Sequence, residues 1–193
     1  MEMKNIKIGF AVTGSHCTIG EVLKQLRRLV ESGADVHPII SQTVHTDTRF
    51  GRADEWKEQL RKTTGHDIVD TMVGAEPIGP NKLFDIMVVA PCTGNTLAKL
   101  VNGITDGPVL MAVKAHLRNQ RPVVLAISTN DGLGINAKNI GMLLNMKNIY
   151  MVPFGQDNPE AKANSLVAKM PLLPETVLRA LEGKQIQPVI VQY

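Results

Sequence analysis

The chain has 193 residues, 44% of them hydrophobic and 20% charged, which suits one ordinary domain spanning 1–193 with a core of its own. Aromatic residues make up only 4%, and the cationic residues, Lys24, Arg27 and Arg28 among them, are scattered through helical stretches under a net charge of +3. This excludes a base-stacking platform and a polyanion-binding stripe, so no nucleic acid is expected as a partner.

IKIGFAV, residues 6–12, is short, apolar and followed by Thr13, Gly14 and Ser15, which predicts a buried strand entering a turn. Ile19, Val22, Leu23, Leu26, Leu29 and Val30 then recur at helical spacing until Gly33 stops the helix. DVHPIIS, residues 35–41, predicts a second strand running on towards Thr43 and Val44. From Thr46 to Gly79 the pattern weakens to one helix around Trp56 and Leu60 within a long excursion.

FDIMVVAP, residues 84–91, is the continuous apolar run of a strand covered on both faces, and NTLAKLVNGI, residues 95–104, follows as a helix. VLMAVKAHLRNQ (109–120) predicts another helix, RPVVLAIS (121–128) a buried strand, NAKNIGMLLNM (136–146) a helix and IYMVP (149–153) the last core strand. The alternation predicts an α/β protein, a doubly wound, mainly parallel, Rossmann-like sheet in three α/β/α layers. The tail from Pro171 holds one more helix and the apolar end IQPVIVQY, expected to dock, on a neighbouring chain in preference to its own domain.

In such a sheet, ligands collect beyond the carboxyl ends of the strands. Three polar clusters fall there. At the first, Gly14 permits close backbone approach and Ser15 offers a hydroxyl beside the free N–H groups of the following helix, an arrangement that holds a phosphate or simply caps a helix. The second, SQTVHTDTRF, carries Ser41 and also His45, a candidate proton-transfer group with no carboxylate partner visible in the sequence. The third is PCTGNT, where Thr93, Asn95 and Thr96 place two hydroxyls and an amide at a helix start, to meet a flat heteroaromatic ring or to cap the helix.

Cys92 is a tempting nucleophile at a helix N-terminus, but no histidine lies beside it in the sequence, and the expectation is a semi-buried structural thiol. The five histidines form no HxH or HxxxH pair, so no metal site is expected; GxSxG and Walker A loops are missing as well. Cys17 and Cys92 make neither a CxxC motif nor a secreted disulfide framework, and no run reaches membrane-spanning length. The expected location is cytoplasmic, without a membrane partner.

Together, GFAVTGS with its helix, Ser41 after the second strand and PCTGNTLAKLVNGITDGPV resemble the flavoproteins that include phosphopantothenoylcysteine decarboxylase, peptidyl-cysteine decarboxylases and prenyl-flavin-forming enzymes. The resemblance implies an FMN site with Gly14 and Ser15 on the phosphate side, Ser41 near the ring or ribityl chain, and Thr93, Asn95 and Thr96 around both. Lys99 and Asp106 belong to the same block. It also implies a homo-oligomer, a trimer or a dodecamer.

Two departures limit what carries over. Pro77 stands where the decarboxylases have a histidine, and their Pro-Ala-Met-Asn block becomes the stretch from Ile127 to Gly134, in which only Asn130 survives. Cysteine decarboxylation is therefore not expected. AEPIGPNKLFD, STNDGLGINAKNIG, PFGQDNP and NSLVAKM instead resemble an oxidoreductase branch. Its members work with a second, nicotinamide-binding protein that uses NADP or NAD, to aromatise a small dihydropyridine dicarboxylate during sporulation. On that reading Asn130, Asp131 and the backbone of Gly132 to Gly134 form the substrate wall, with Asn130, Asp131 and His45 the catalytic candidates. The alternative is a binding or scaffolding protein that keeps the fold without flavin chemistry.

Overall fold

Runs of apolar residues too long to alternate set the centre of the molecule, whose computed structural model describes residues 2–192. Strand β1 (Lys7–Val12) is buried at every position after Lys7, β3 (Ile86–Cys92) is buried throughout, and β4 (Val123–Thr129) is buried up to Thr129. Such strands need helices on both faces. Strand β2 (Asp35–Ile40) pairs parallel to β1, β1 to β3, β3 to β4, and β4 to the short β5 (Ile149–Met151).

The chain thus moves outward from β1 to β2, then returns past β1 to β3 and continues in the other direction. The reversal leaves a crevice between the carboxyl ends of β1 and β3. Helix α1 (His16–Glu31) buries Ile19, Val22, Leu23, Leu26 and Leu29 as its spacing predicts, and the chain turns at Gly33 with φ 92°. Helix α2 (Ala53–Thr64) follows, ending at Gly65 in the left-handed region. The sequence reading did not resolve the short helix α3 (Met72–Ala75) and the 3-10 turn Glu76–Ile78, each too brief to display a period.

Beyond β3 come α4 (Gly94–Val101) and α5 (Pro108–Arg118), and beyond β4 comes α6 (Ala137–Leu144). The predicted mainly parallel α/β sheet is the observed one. Pro91, which has no N–H to donate, interrupts pairing: the β3–β4 register shifts between Val89 and Cys92. Thr43 and Val44, by contrast, do not extend β2; they belong to a 3-10 turn, Gln42–His45, that starts after Ser41.

The larger differences lie downstream. IYMVP is not the last strand, because β6 (Phe154–Gly155) and β7 (Leu166–Ala168) follow, pairing antiparallel with each other. Strand β4 is shared lengthwise: its amino half pairs with β5, and Ser128 and Thr129 pair antiparallel with Val167 and Leu166. The polar loop 156–165 is thereby carried to the carboxyl end of the sheet. After α7 (Leu173–Leu181), the apolar tail docks on its own chain: Phe154 N–H donates to Val189 O at 3.0 Å, and Val191 N–H to Phe154 O at 3.0 Å. The unpaired edge of β6 offered the nearest backbone partners. No helix among the described residues is long and apolar enough to cross a membrane.

Candidate functional site

Thr13, the first residue past β1, holds the crevice together. Its buried hydroxyl donates to Pro91 O at 2.6 Å and accepts from Thr93 N–H at 3.1 Å. The β1 and β3 loops are therefore fixed side by side, and two adjoining cavities open along them, both touching Gly14 and Thr93.

The first cavity has a volume of about 340 Å³. Ser41, Thr43, Thr93, Asn95 and Thr96 present hydroxyls and an amide to it, while Pro108, Val109 and Leu110 at the start of α5 form an apolar wall. Lys99 and Asp106, which are ion-paired, also line it. Thr93 caps α4, accepting from Thr96 N–H at 3.2 Å with its hydroxyl 2.9 Å from that of Thr96. The cap and the cavity wall are the same residues, so both readings of the PCTGNT cluster hold. Asn95 is exposed, and its side chain makes no hydrogen bond among the described residues.

Gly14 has a sharper reason than flexibility. A Cβ there would stand 2.5 Å from Thr43 Oγ1 and 2.8 Å from its Cβ. The β1 loop and the turn after β2 can close one end of the cavity only because residue 14 has no side chain. Ser41 Oγ lies 2.8 Å from Thr43 Oγ1, continuing the row of hydroxyls.

The second cavity, about 530 Å³, is bounded by Ser15, Thr18 and Ser128 on one side. Ser15 Oγ is 2.7 Å from Ser128 Oγ, and Thr18 donates to Ser128 Oγ at 3.2 Å. Asn130 lines it, and the loop delivered by β7 adds Asp157, Asn158 and Lys162, with Lys162 Nζ 3.3 Å from Asp157 Oδ2. Sequence reading missed these loop residues. Asp157 and Asn158 lie in PFGQDNP, which marked the branch but no site, Lys162 lies in none of the quoted motifs, and only the antiparallel pairing of β4 with β7 brings them to the crevice.

A family model described as flavoprotein matches residues 1–178. The chain belongs to the flavoprotein family. The B subunit of dipicolinate synthase from Bacillus subtilis (strain 168) is 51% identical over 191 residues, covering 98% of this chain and 96% of the relative. The crystal structure of the dipicolinate synthase B subunit from Bacillus halodurans C superposes with a TM-score of 0.92 at 54% identity, covering 100% of this chain and 99% of that one. The FMN-binding protein AtHal3, at 18% identity and TM-score 0.68 over 95% of this chain and 100% of its own, shares the fold.

Within this flavoprotein, all six residues expected from the sequence to contact FMN border one or both cavities: Gly14 and Thr93 both, Ser15 the second, and Ser41, Asn95 and Thr96 the first. Of the catalytic candidates, Asn130 alone does so. Asp131 turns inward, and its carboxylate accepts from the Thr129 hydroxyl and, at 3.0 and 2.9 Å, from Asn136 Nδ2. Asn136 in turn accepts from Asn139 Nδ2 at 2.8 Å, so Asp131 braces the loop that presents Asn130 instead of facing the cavity. His45 also borders neither cavity; its Nε2 sits 3.7 Å from Asp70 Oδ2, the carboxylate partner that the sequence did not reveal. Pro77 is exposed in its 3-10 turn, away from both cavities.

Cys92 is fully buried, and burial pushes its thiol well above the ordinary range, which removes it as a thiolate nucleophile. Cys17 is exposed and free. Iodoacetamide should therefore alkylate Cys17 and spare Cys92 in the folded flavoprotein, with both modified in urea. Mass spectrometry of the tryptic peptides checks this, and rapid native labelling of Cys92 would contradict its burial.

Proposed function

We propose that this chain is the FMN-binding B subunit of a dipicolinate synthase. With a nicotinamide-binding A subunit, carrying NADP or NAD, it oxidises dihydrodipicolinate to pyridine-2,6-dicarboxylate during sporulation. The observation that carries the reading is the convergence of Gly14, Ser41 and the Thr93–Thr96 turn, from three different strand ends, on one cavity. The identity of more than half to the two bacillar B subunits over nearly the whole chain supports the choice of reaction.

The residues present fit FMN by donor chemistry and by shape. Two contiguous cavities in the range of ordinary cofactor sites meet at Gly14 and Thr93. The apolar wall of Pro108, Val109 and Leu110 suits a flat ring, the Asn95 amide its polar edge, and the hydroxyls of Ser41, Thr43 and Thr96 a polyol chain. Ser15, Thr18 and Ser128, beside the free N–H groups that open α1, suit a phosphate. When bound, FMN supplies an acceptor for the hydride that leaves the dihydropyridine as it becomes aromatic. The chain's own part is to hold the ring against that wall and to orient the dicarboxylate, with the Asn130 amide and the Lys162 ammonium meeting its anionic groups. A trimeric or dodecameric assembly belongs to this reading.

A second reading keeps the fold and drops the redox step, so that the chain serves as a scaffold presenting substrate to the nicotinamide-binding partner. The inward turn of Asp131 and the pairing of His45 with Asp70 favour it, since neither candidate base faces a cavity. Titration of the purified chain with FMN separates the two readings. Saturable binding with a perturbed visible flavin spectrum is expected, weakened roughly tenfold or more by Asn95→Ala through loss of a ring-edge hydrogen bond and its packing. Reconstitution with the nicotinamide-binding partner should then lose dipicolinate formation in parallel. Dipicolinate formation without any FMN binding would leave the scaffold reading standing.

A further inference from the structure

At the opposite end of the sheet from these cavities, three side chains converge for which the proposed function has no use. Asp35 and His37 sit two apart on β2 and so share a face of the strand, and His66 lies just past the left-handed turn that ends α2. His66 Nε2 is 2.7 Å from Asp35 Oδ1, and His37 Nε2 is 3.1 Å from Asp35 Oδ2. The two imidazoles stack with centroids 3.9 Å apart and planes inclined by 22°, and the Phe84 ring packs on His37 at 5.3 Å. One ligand atom from each of the three residues falls within 4.8 Å of the others.

We propose that Asp35, His37 and His66 form a binding site for a divalent transition-metal ion of zinc-like softness. Two imidazole nitrogens and a carboxylate oxygen are the donor set such an ion prefers, with an open fourth position for water. In a tetrahedral site with bonds of about 2.0–2.1 Å, neighbouring ligand atoms lie about 3.3 Å apart. The two nitrogen–oxygen separations, 2.7 and 3.1 Å, need to open by a few tenths of an ångström for the ion to enter, and the stacked rings must turn out of their near-parallel alignment so that both in-plane lone pairs meet on it.

The side chains are between 30% and 40% exposed, so the ion and its water reach them from solvent. To take the ion each neutral imidazole carries its proton on Nδ1, so that the hydrogen bonds the two Nε2 atoms otherwise donate to Asp35 give way to bonds to the ion. Asp35 is ready as an anion: partial burial raises its pKa, but hydrogen bonds from His37 and then His66 outweigh that and hold it below the usual carboxylate range. The separation from the crevice is the length of β2, roughly 20 Å, so the ion takes no part in the chemistry proposed there. It would latch the exit of α2 to the sheet edge, whereas the sequence alone, lacking an HxH or HxxxH pair, pointed to no metal at all.

The test is calorimetric titration of the full-length, untagged, chelator-treated protein with zinc chloride, with thermal unfolding followed in parallel. Wild type should take up one zinc per chain at this site and unfold at a higher temperature with zinc than without. Asp35→Asn and His66→Gln should each weaken that uptake roughly tenfold or more and abolish the thermal shift. Circular dichroism establishes that both variants are folded. Zinc uptake and thermal shift unchanged in the two folded variants, or wild type without zinc binding, would overturn the proposal. FMN titration of the same variants keeps the two sites distinct, since the zinc result stands whether or not flavin binds.

Discussion

Gly94→Ala should lower the free energy of unfolding by about 1–3 kcal/mol, the range for overpacking a tight interior, and should weaken FMN binding markedly. A methyl group at position 94 would stand 2.6 Å from both Thr129 Oγ1 and Asn136 Nδ2, and 2.9 Å from Asp131 Oδ1. None of these can swing away freely. Thr129 and Asn136 both donate to Asp131, and Asn136 is buried and tied to Asn139. Relief of the clash must therefore move either this hydrogen-bonded cluster or the first turn of α4, which carries Asn95 and Thr96 into the first cavity. Gly20→Ala is the control, because a Cβ at that position of α1 meets nothing within 4 Å. There the change should be neutral or stabilising by up to about 1 kcal/mol, from helix propensity. Urea unfolding and FMN titration of both variants check the pair; equal midpoints for Gly94→Ala and wild type would show that the cluster yields without cost.

Stability should also fall as the pH drops from about 6.5 to about 4, with His116 responsible for as much as about 3 kcal/mol of the loss. His116 is buried on α5, only 2% exposed, and its Nε2 has no hydrogen-bond partner. Burial first, and then the nearby Arg121 guanidinium, lower its pKa to about 4 against an ordinary 6.5, outweighing the Pro122 backbone and Asp85. Between those values the unfolded chain binds the proton and the folded chain does not, so protonation favours unfolding. The stabilisation is complete above the unfolded value and is lost as the pH falls towards the folded one. His116→Leu should flatten this part of the profile. Denaturant unfolding at about pH 7 and about pH 4.5, compared between the variant and wild type, isolates the contribution from carboxylates that titrate in both. An identical pH dependence in the two proteins would rule out His116 as its source.

Both predictions turn on how side chains pack once the chain has folded, and the same is true of what the sequence left hidden in the candidate site. Gly14, Ser41 and the Thr93–Thr96 turn could be found by reading, because each follows directly from a strand whose apolar run is unmistakable. Asp131 could not be judged that way. Whether a carboxylate beside Asn130 faces a ligand or its own loop depends on where Thr129 and Asn136 point, which is a matter of backbone geometry. Nothing placed Lys162, or Asp157 within PFGQDNP, at the site until β7 paired with β4.

The sequence by itself determined the alternation of buried strands and amphipathic helices, the glycine-bearing turns at the strand ends and, through these, the flavoprotein fold with its crevice. Those features are local: a run of apolar residues or a helical spacing is written in consecutive positions and needs no partner to be read. Only the tertiary structure decided that the apolar tail docks on β6 of its own chain, that the 156–165 loop completes the second cavity, and that His66 meets Asp35 and His37. Each of these depends on short strands or single side chains meeting across the fold. Their energies come from backbone pairing and polar geometry, which leave no periodic trace in the order of the residues.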